Sequence, residues 1–157
     1  MPAATFPEDN MLALPDQSGP LFSDLGLLLL RLAAGGFLLP HGLAKLFGWF
    51  HGPGLPGFAA ELRGFGLPSR APLPLLLAAT QTLLALCVLA GLYTSASAMA
   101  ASAFLAATAL LNRPNGWFWM RGGVEYPLYW TLTLLALALL GGGQWSLDVM
   151  LSTPTGA

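Results

Sequence analysis

Three ionisable residues, Arg31, His41 and Lys45, lie inside one apolar stretch, Asp24 to Phe50 (DLGLLLLRLAAGGFLLPHGLAKLFGWF). The stretch is long enough to cross a bilayer, which takes roughly 20 helical residues at about 1.5 Å each. A charge buried there is costly unless it finds a partner or a water-filled cavity, so such residues mark a functional site by default. On a helix turning about 100° per residue, with Arg31 at 0°, His41 falls near −80° and Lys45 near −40°. Ala34, Leu38 and Gly42 lie on the same arc, at about −60°, −20° and +20°. One face therefore carries every ionisable group, with small residues between them, and that face is expected to point into the protein. Pro40 removes one backbone donor and crowds the preceding turn, so a kink just before His41 is expected to shift His41 and Lys45 from the ideal wheel.

These residues need helices to position them, and composition says in what medium. Of 157 residues, 55% are hydrophobic and 8% charged, with mean hydropathy +0.67. Soluble domains carry about 25% charged residues, so this chain reads as a membrane protein, and its length suits one compact helical unit. A net charge of −1 and the lack of a basic patch argue against nucleic acid. Cys87 stands alone in an apolar run, without a CxxC, and reads as packing or lipid-facing. His41 and His51 are a poor pair for haem, and no cluster at metal-ligand spacing occurs, so no metal site is expected.

Residues 1–23 contain Glu8, Asp9, Asp16 and no Lys or Arg, which reads as a retained, irregular acidic leader rather than a secretory signal. After the first span comes a Gly- and Pro-rich stretch. Within it, Phe58, Leu62 and Phe65 in PGFAAELRGFG fall at helical spacing, with Glu61 and Arg63 toward water. That pattern predicts a short amphipathic interfacial helix, with a plain loop as the open alternative. Pro72 to Asn112 is 41 residues without a charge, about 60 Å as a single helix and twice the hydrocarbon thickness. It must fold back, and GLYTS at 91–95 is the turn signal, placing spans at about 73–92 and 96–112.

In the later span, Ala96/Ala100, Ala98/Ser102/Ala106 and Ala103/Ala107 offer small residues four apart for close packing. RPNGWFWMRGG, 113–123, reads as a hairpin with an aromatic tip, and the charge-free segment Tyr126 to Leu147 gives a fourth span ending at Gly141–Gly143. The sum is an all-α, integral membrane four-helix bundle over 24–150, with a flexible tail at 151–157. Lys45, Arg63, Arg70, Arg113 and Arg121 fall on one side of this frame, while residues 1–23, the 93–95 turn and the stretch after 141 on the other side contain no Lys or Arg. The positive-inside rule then puts the long loops in the cytoplasm of a bacterial-type inner membrane and both termini outside.

With that polarity, Glu125 at the start of the last span faces His41 and Lys45 on the cytoplasmic side, and Asp148 faces Arg31 on the outer side. Two polar clusters are expected, Lys45/His41/Glu125 and Arg31/Asp148. They serve either as sites or as structural locks between helices. Gln81, central in the second span, is expected either to hydrogen-bond across helices or to meet a bound polar head group.

RLAAGGFLLPHGLAKLFGWF at 31–50, GLYTSASAMAASA at 91–103 and NGWFWMRGGVEYPLYWTLTLLALALLGGGQWSLD at 115–148, in this order, resemble the DoxX family. The most specific pieces are HGxxK at His41–Lys45, GxEYP at Gly123–Pro127 and GxGxxSLD at Gly141–Asp148. The resemblance implies a four-helix inner-membrane protein linked to respiratory or thiol redox work, since a related subunit, DoxD, belongs to a thiosulfate:quinone oxidoreductase. It also implies a departure here, because the family often has glutamate where Gln81 stands. His41 and Lys45 would then hold a quinone carbonyl and Glu125 would supply a proton, with Arg31, Gln81 and Asp148 as further binding residues. The partners this allows are the lipid bilayer, a redox protein and further copies of the chain. A non-enzymatic membrane scaffold is the alternative reading, and a small-molecule transporter a third.

Overall fold

The computed structural model describes residues 19–152, and these are helical with no strands. The expected acidic leader lies outside the described residues as far as residue 18, as do residues 153–157 of the tail. Six α-helices follow in order: α1 Pro20–Phe47, α2 Gly54–Gly64, α3 Leu73–Ala90, α4 Thr94–Leu111, α5 Glu125–Leu140 and α6 Leu147–Ser152. Helix α1 starts at Pro20, four residues before the expected boundary, because a proline at the first helical position forfeits no hydrogen bond. It runs unbroken through Pro40, so the HGxxK segment stays on the same helix as Arg31.

Helices α1, α3 and α4 are long and apolar enough to cross a membrane, while α5 has 16 residues, about 24 Å. Large apolar side chains such as Leu29, Leu32, Phe37, Leu83, Leu86, Leu110, Leu132 and Leu139 are exposed around the bundle. A soluble protein would hide them, whereas a lipid-facing surface carries them without cost. The chain is a membrane protein by this arrangement of apolar helices.

The closest packing is α1 on α3 and α4 on α5, with α3 beside α4 and α1 beside α5 closing the ring. Glycine sets the α1–α3 distance: a Cβ at Gly35 would meet Leu89 and the Ala85 carbonyl, and one at Gly42 would meet Thr82. On α4, the buried face is Ser97, Ala98, Ala101, Ser102 and Leu105, and Ser102 Oγ donates to the Thr131 carbonyl of α5 at 2.9 Å. Ala98/Ser102 is thus a packing pair, while Ala96/Ala100 and Ala103/Ala107 are exposed. The main core joins Ala34, Leu38, Ala85, Val88, Ala98, Leu105, Leu134 and Leu137.

The amphipathic segment forms helix α2 rather than a loop. Its Phe58 and Leu62 are buried with Ala78, Leu46, Leu67 and Leu77, and Glu61 and Arg63 are exposed. The turn between α3 and α4 is tight, and α3 stops on Gly91 in the left-handed region at φ +68°. Three glycines after Leu140 end α5, and residues 143–148 return across the end of the bundle.

Candidate functional site

The two ends of the bundle hold the charges differently. At the end formed by the start of α1, the α3–α4 turn and α6, Arg31 is 1% exposed. Its Nη2 donates to the Trp145 carbonyl at 2.7 Å, while Nε and Nη1 are buried with no hydrogen-bond partner among the described residues. Gly91 makes room for the guanidinium, since a Cβ there would fall on Nη1. Asp148 completes the arrangement: one carboxylate oxygen accepts from the Thr94 N–H (2.8 Å) and hydroxyl (2.7 Å), the other from the Tyr93 N–H (2.5 Å). The Asp148 N–H donates to the Gly91 carbonyl at 3.0 Å, and Asp24 accepts from the Gln144 N–H at 2.9 Å. Burial pushes the Asp148 carboxyl up, but the Thr94 and Tyr93 hydrogen bonds and the Arg31 charge outweigh it and hold the group below the usual carboxylate range. Arg31 and Asp148 are thus brought to one end, as the sequence suggests, and they bind backbone.

At the opposite end, Lys45 Nζ donates to Gln81 Oε1 at 2.9 Å and lies 4.7 Å from the Phe58 ring centroid and 6.0 Å from that of Phe104. His41 Nε2 and the Tyr126 hydroxyl are 3.3 Å apart, with the donor set by the imidazole tautomer. These groups line a cavity of about 200 Å³ between α1, α3, α4 and α5. Its other walls include Phe37 and Trp130, stacked at 5.1 Å, together with Leu38 and Leu105, and Thr108 and Asn112 add polar atoms. The Trp130 indole N–H is buried without a hydrogen-bond partner among the described residues. Such an N–H is a donor in reserve, since a buried donor left unmade is costly.

The structure brings together three of the expected site residues here, His41, Lys45 and Gln81, and corrects one. Glu125 does not join them: its Oε2 accepts from the Trp119 N–H at 3.2 Å, closing the 113–123 hairpin. The carboxylate that lines a space together with Lys45 is Glu61 of α2. The physical reason is angular. Neighbouring positions on a helix point about 100° apart, and Tyr126, not Glu125, faces the cavity from the start of α5. Gln81 also belongs with Lys45 rather than with Arg31 and Asp148.

Sequence reasoning missed Tyr126, Trp130, Thr108 and Asn112 as lining residues. Tyr126/Trp130 and Thr108/Asn112 are each spaced i, i+4 on one helix face, a signal present in the sequence but lost among many apolar and aromatic neighbours. Cys87 is partly buried and free. Among the described residues, no group of three His, Cys, Asp or Glu could hold a metal ion.

Comparison with curated proteins and with solved structures gives no match. The DoxX family model does match, over residues 26–113. That stretch runs from the first turns of α1 through Arg31, His41, Lys45 and Gln81 to the end of α4, so on more than half of its length this chain belongs to the DoxX family.

Proposed function

We propose that this DoxX-family membrane protein binds the head group of a quinone beside Lys45 and His41 and serves as a membrane component of a thiol or sulfur redox system. One observation carries the reading. An ammonium, a carboxamide and an imidazole–phenol pair converge on a cavity of about 200 Å³ whose other walls are largely apolar and aromatic. A quinone head group is planar and apolar on its faces, with a carbonyl oxygen at each end. Phe37 and Trp130 offer a face for stacking, Lys45 keeps donors beyond the one given to Gln81, and His41 or Tyr126 can donate to the second carbonyl.

Reduction would draw electrons from a donor, directly or through a partner redox protein. With two thiols the balance closes: each sulfur loses a hydrogen, an S–S bond forms, and each quinone oxygen gains a proton as the ring takes two electrons. His41 and Tyr126 are positioned to pass those protons. In this reading α5, short as it is, forms a fourth span. The arginine-bearing loops face the cytoplasm of a bacterial-type inner membrane, with both termini outside.

The test is quinone retention and reduction by the protein purified in mild detergent, with thiosulfate and simple thiols as donors. Retained quinone with donor-dependent reduction, lost in His41→Ala and Lys45→Ala proteins that still fold, is the expected result. Absence of both binding and turnover would overturn it. A scaffold role is the second reading, favoured by the exposed Trp117, Phe118, Trp119 and Met120 of the 113–123 hairpin. In that case hairpin substitutions would cost more function than substitutions at Lys45.

A further inference from the structure

The cavity beside Lys45 has a neighbour that the quinone reading does not use. A groove of about 450 Å³ lies between α2, α3 and α4 and shares Lys45, Thr108 and Asn112 with the inner cavity. Away from that junction its lining is largely apolar: Phe58, Phe65, Leu67, Leu77, Phe104 and Leu111 among others. Its rim opens outward, since Glu61, Phe65 and Ala107 are exposed. The groove is thus mostly apolar away from the junction, with the Glu61 carboxylate at its exposed rim.

Resting on the quinone reading, we infer that the ligand is a long-tailed, lipid-borne quinone whose hydrocarbon tail lies in this groove beneath α2. Geometry and polarity together select that occupant. A head group held at Lys45 has two ways out, because a second cavity, lined by His41, Asn112, Trp119, Gly122, Gly123 and Tyr126, opens at the 113–123 hairpin. Glycine backbone and the His41–Tyr126 pair suit that second mouth to a small polar donor and to protons. The groove under α2 offers a tail contact with Phe58, Leu67, Leu77 and Phe104, with Glu61 left at the rim, and α2 packs Phe58 and Leu62 against α1 and α3 while Phe65 stays partly open. Each methylene removed from water into such a groove tightens binding by about fourfold at most.

The experiment titrates the full-length protein in maltoside micelles with 2,3-dimethoxy-5-methyl-1,4-benzoquinone, alone and carrying a decyl chain, and follows tryptophan fluorescence. Each ligand is compared between the parent protein and two groove-filling variants, Ala107→Trp and Leu111→Trp, so that partitioning into the micelle cancels. The expected result is at least tenfold weaker binding of the decyl quinone to both variants, with the tailless head group unaffected. Equal effects on the two ligands, or no effect on either, would overturn the tail route and leave the head-group reading standing. If the tailless quinone fails to bind the parent protein, the head-group reading falls and the inference falls with it.

Discussion

The Arg31 end and the Lys45 end of the bundle place a cation from the same helix face in a membrane protein, yet they solve the problem in opposite ways. Arg31 is enclosed by backbone: the Trp145 carbonyl accepts from it, Gly91 is cut away for it, and Asp148 ties the α3–α4 turn to α6 beside it. Lys45 is met by a side chain, Gln81, and stands where two cavities join. Backbone partners cannot rotate away, so the first end is a lock. Side-chain partners beside empty volume can change, so the second end can exchange a protein contact for a ligand. An intramembrane charge is therefore weak evidence of a site until its partners are known.

Gly91→Ala should give the largest effect. The new Cβ would fall on the Arg31 guanidinium and would also demand φ near +68° of an alanine. Displacing the buried guanidinium from the Trp145 carbonyl leaves its charge uncompensated, at a cost of about 3–5 kcal/mol. Thermal unfolding in detergent should show a large loss of stability, or no folded protein should be recovered. A variant as stable as the parent would remove the distinction between the two ends.

Asp148→Asn should follow, at about 2 kcal/mol for hydrogen bonds to a charged acceptor. Acid should mimic it. Because the carboxyl is held below its ordinary value of 3.8 in the folded protein, its stabilisation is complete above that value and is lost as the pH falls through the lower folded-state value. A pH titration of the unfolding temperature should show this loss in the parent and not in the Asn variant.

Lys45→Met should reverse the pattern. Stability should hold or rise, because a cation that is costly to bury is replaced by an apolar side chain of similar length. Quinone affinity should fall at least tenfold, about 1.4 kcal/mol. A protein that unfolds on this change would make Lys45 a lock like Arg31.

Glu125→Gln should be the smallest. It weakens one hydrogen bond to the Trp119 N–H, at about 0.5–1 kcal/mol, and quinone affinity should stay within about twofold. A loss comparable to that of Lys45→Met would return Glu125 to the site.

Much of this was legible in the residues themselves. The apolar stretches, the turn at Gly91, the amphipathic pattern of Phe58 and Leu62 and the stop at Gly141–Gly143 all rest on local chemistry: helix period, glycine and the absence of charge. The division of the charges into two ends followed as well, since chain direction alternates from span to span. The choice of partner was not legible. Glu125 and Tyr126 are adjacent in sequence, and only the rotation of α5 against α1 decided that the phenol meets His41 while the carboxylate turns to Trp119. The same holds for the small residues of α4, where Ala98/Ser102 packs and Ala96/Ala100 is exposed, although the spacing is identical.

The sequence by itself determined that this chain lives in a membrane, roughly where its helices and turns fall, and which residues carry charge inside them. Those properties depend on composition and on contacts a few residues apart. Only the tertiary structure decided that Arg31 is enclosed, that Lys45 faces two cavities, and that Gln81 rather than a carboxylate receives its proton donor. The inward face of α1 was legible from its wheel, since Arg31, Ala34, Leu38 and Gly42 are among the residues it buries. In the almost uniformly apolar α3, α4 and α5, by contrast, periodicity barely distinguishes the faces, and packing selects the one that turns inward.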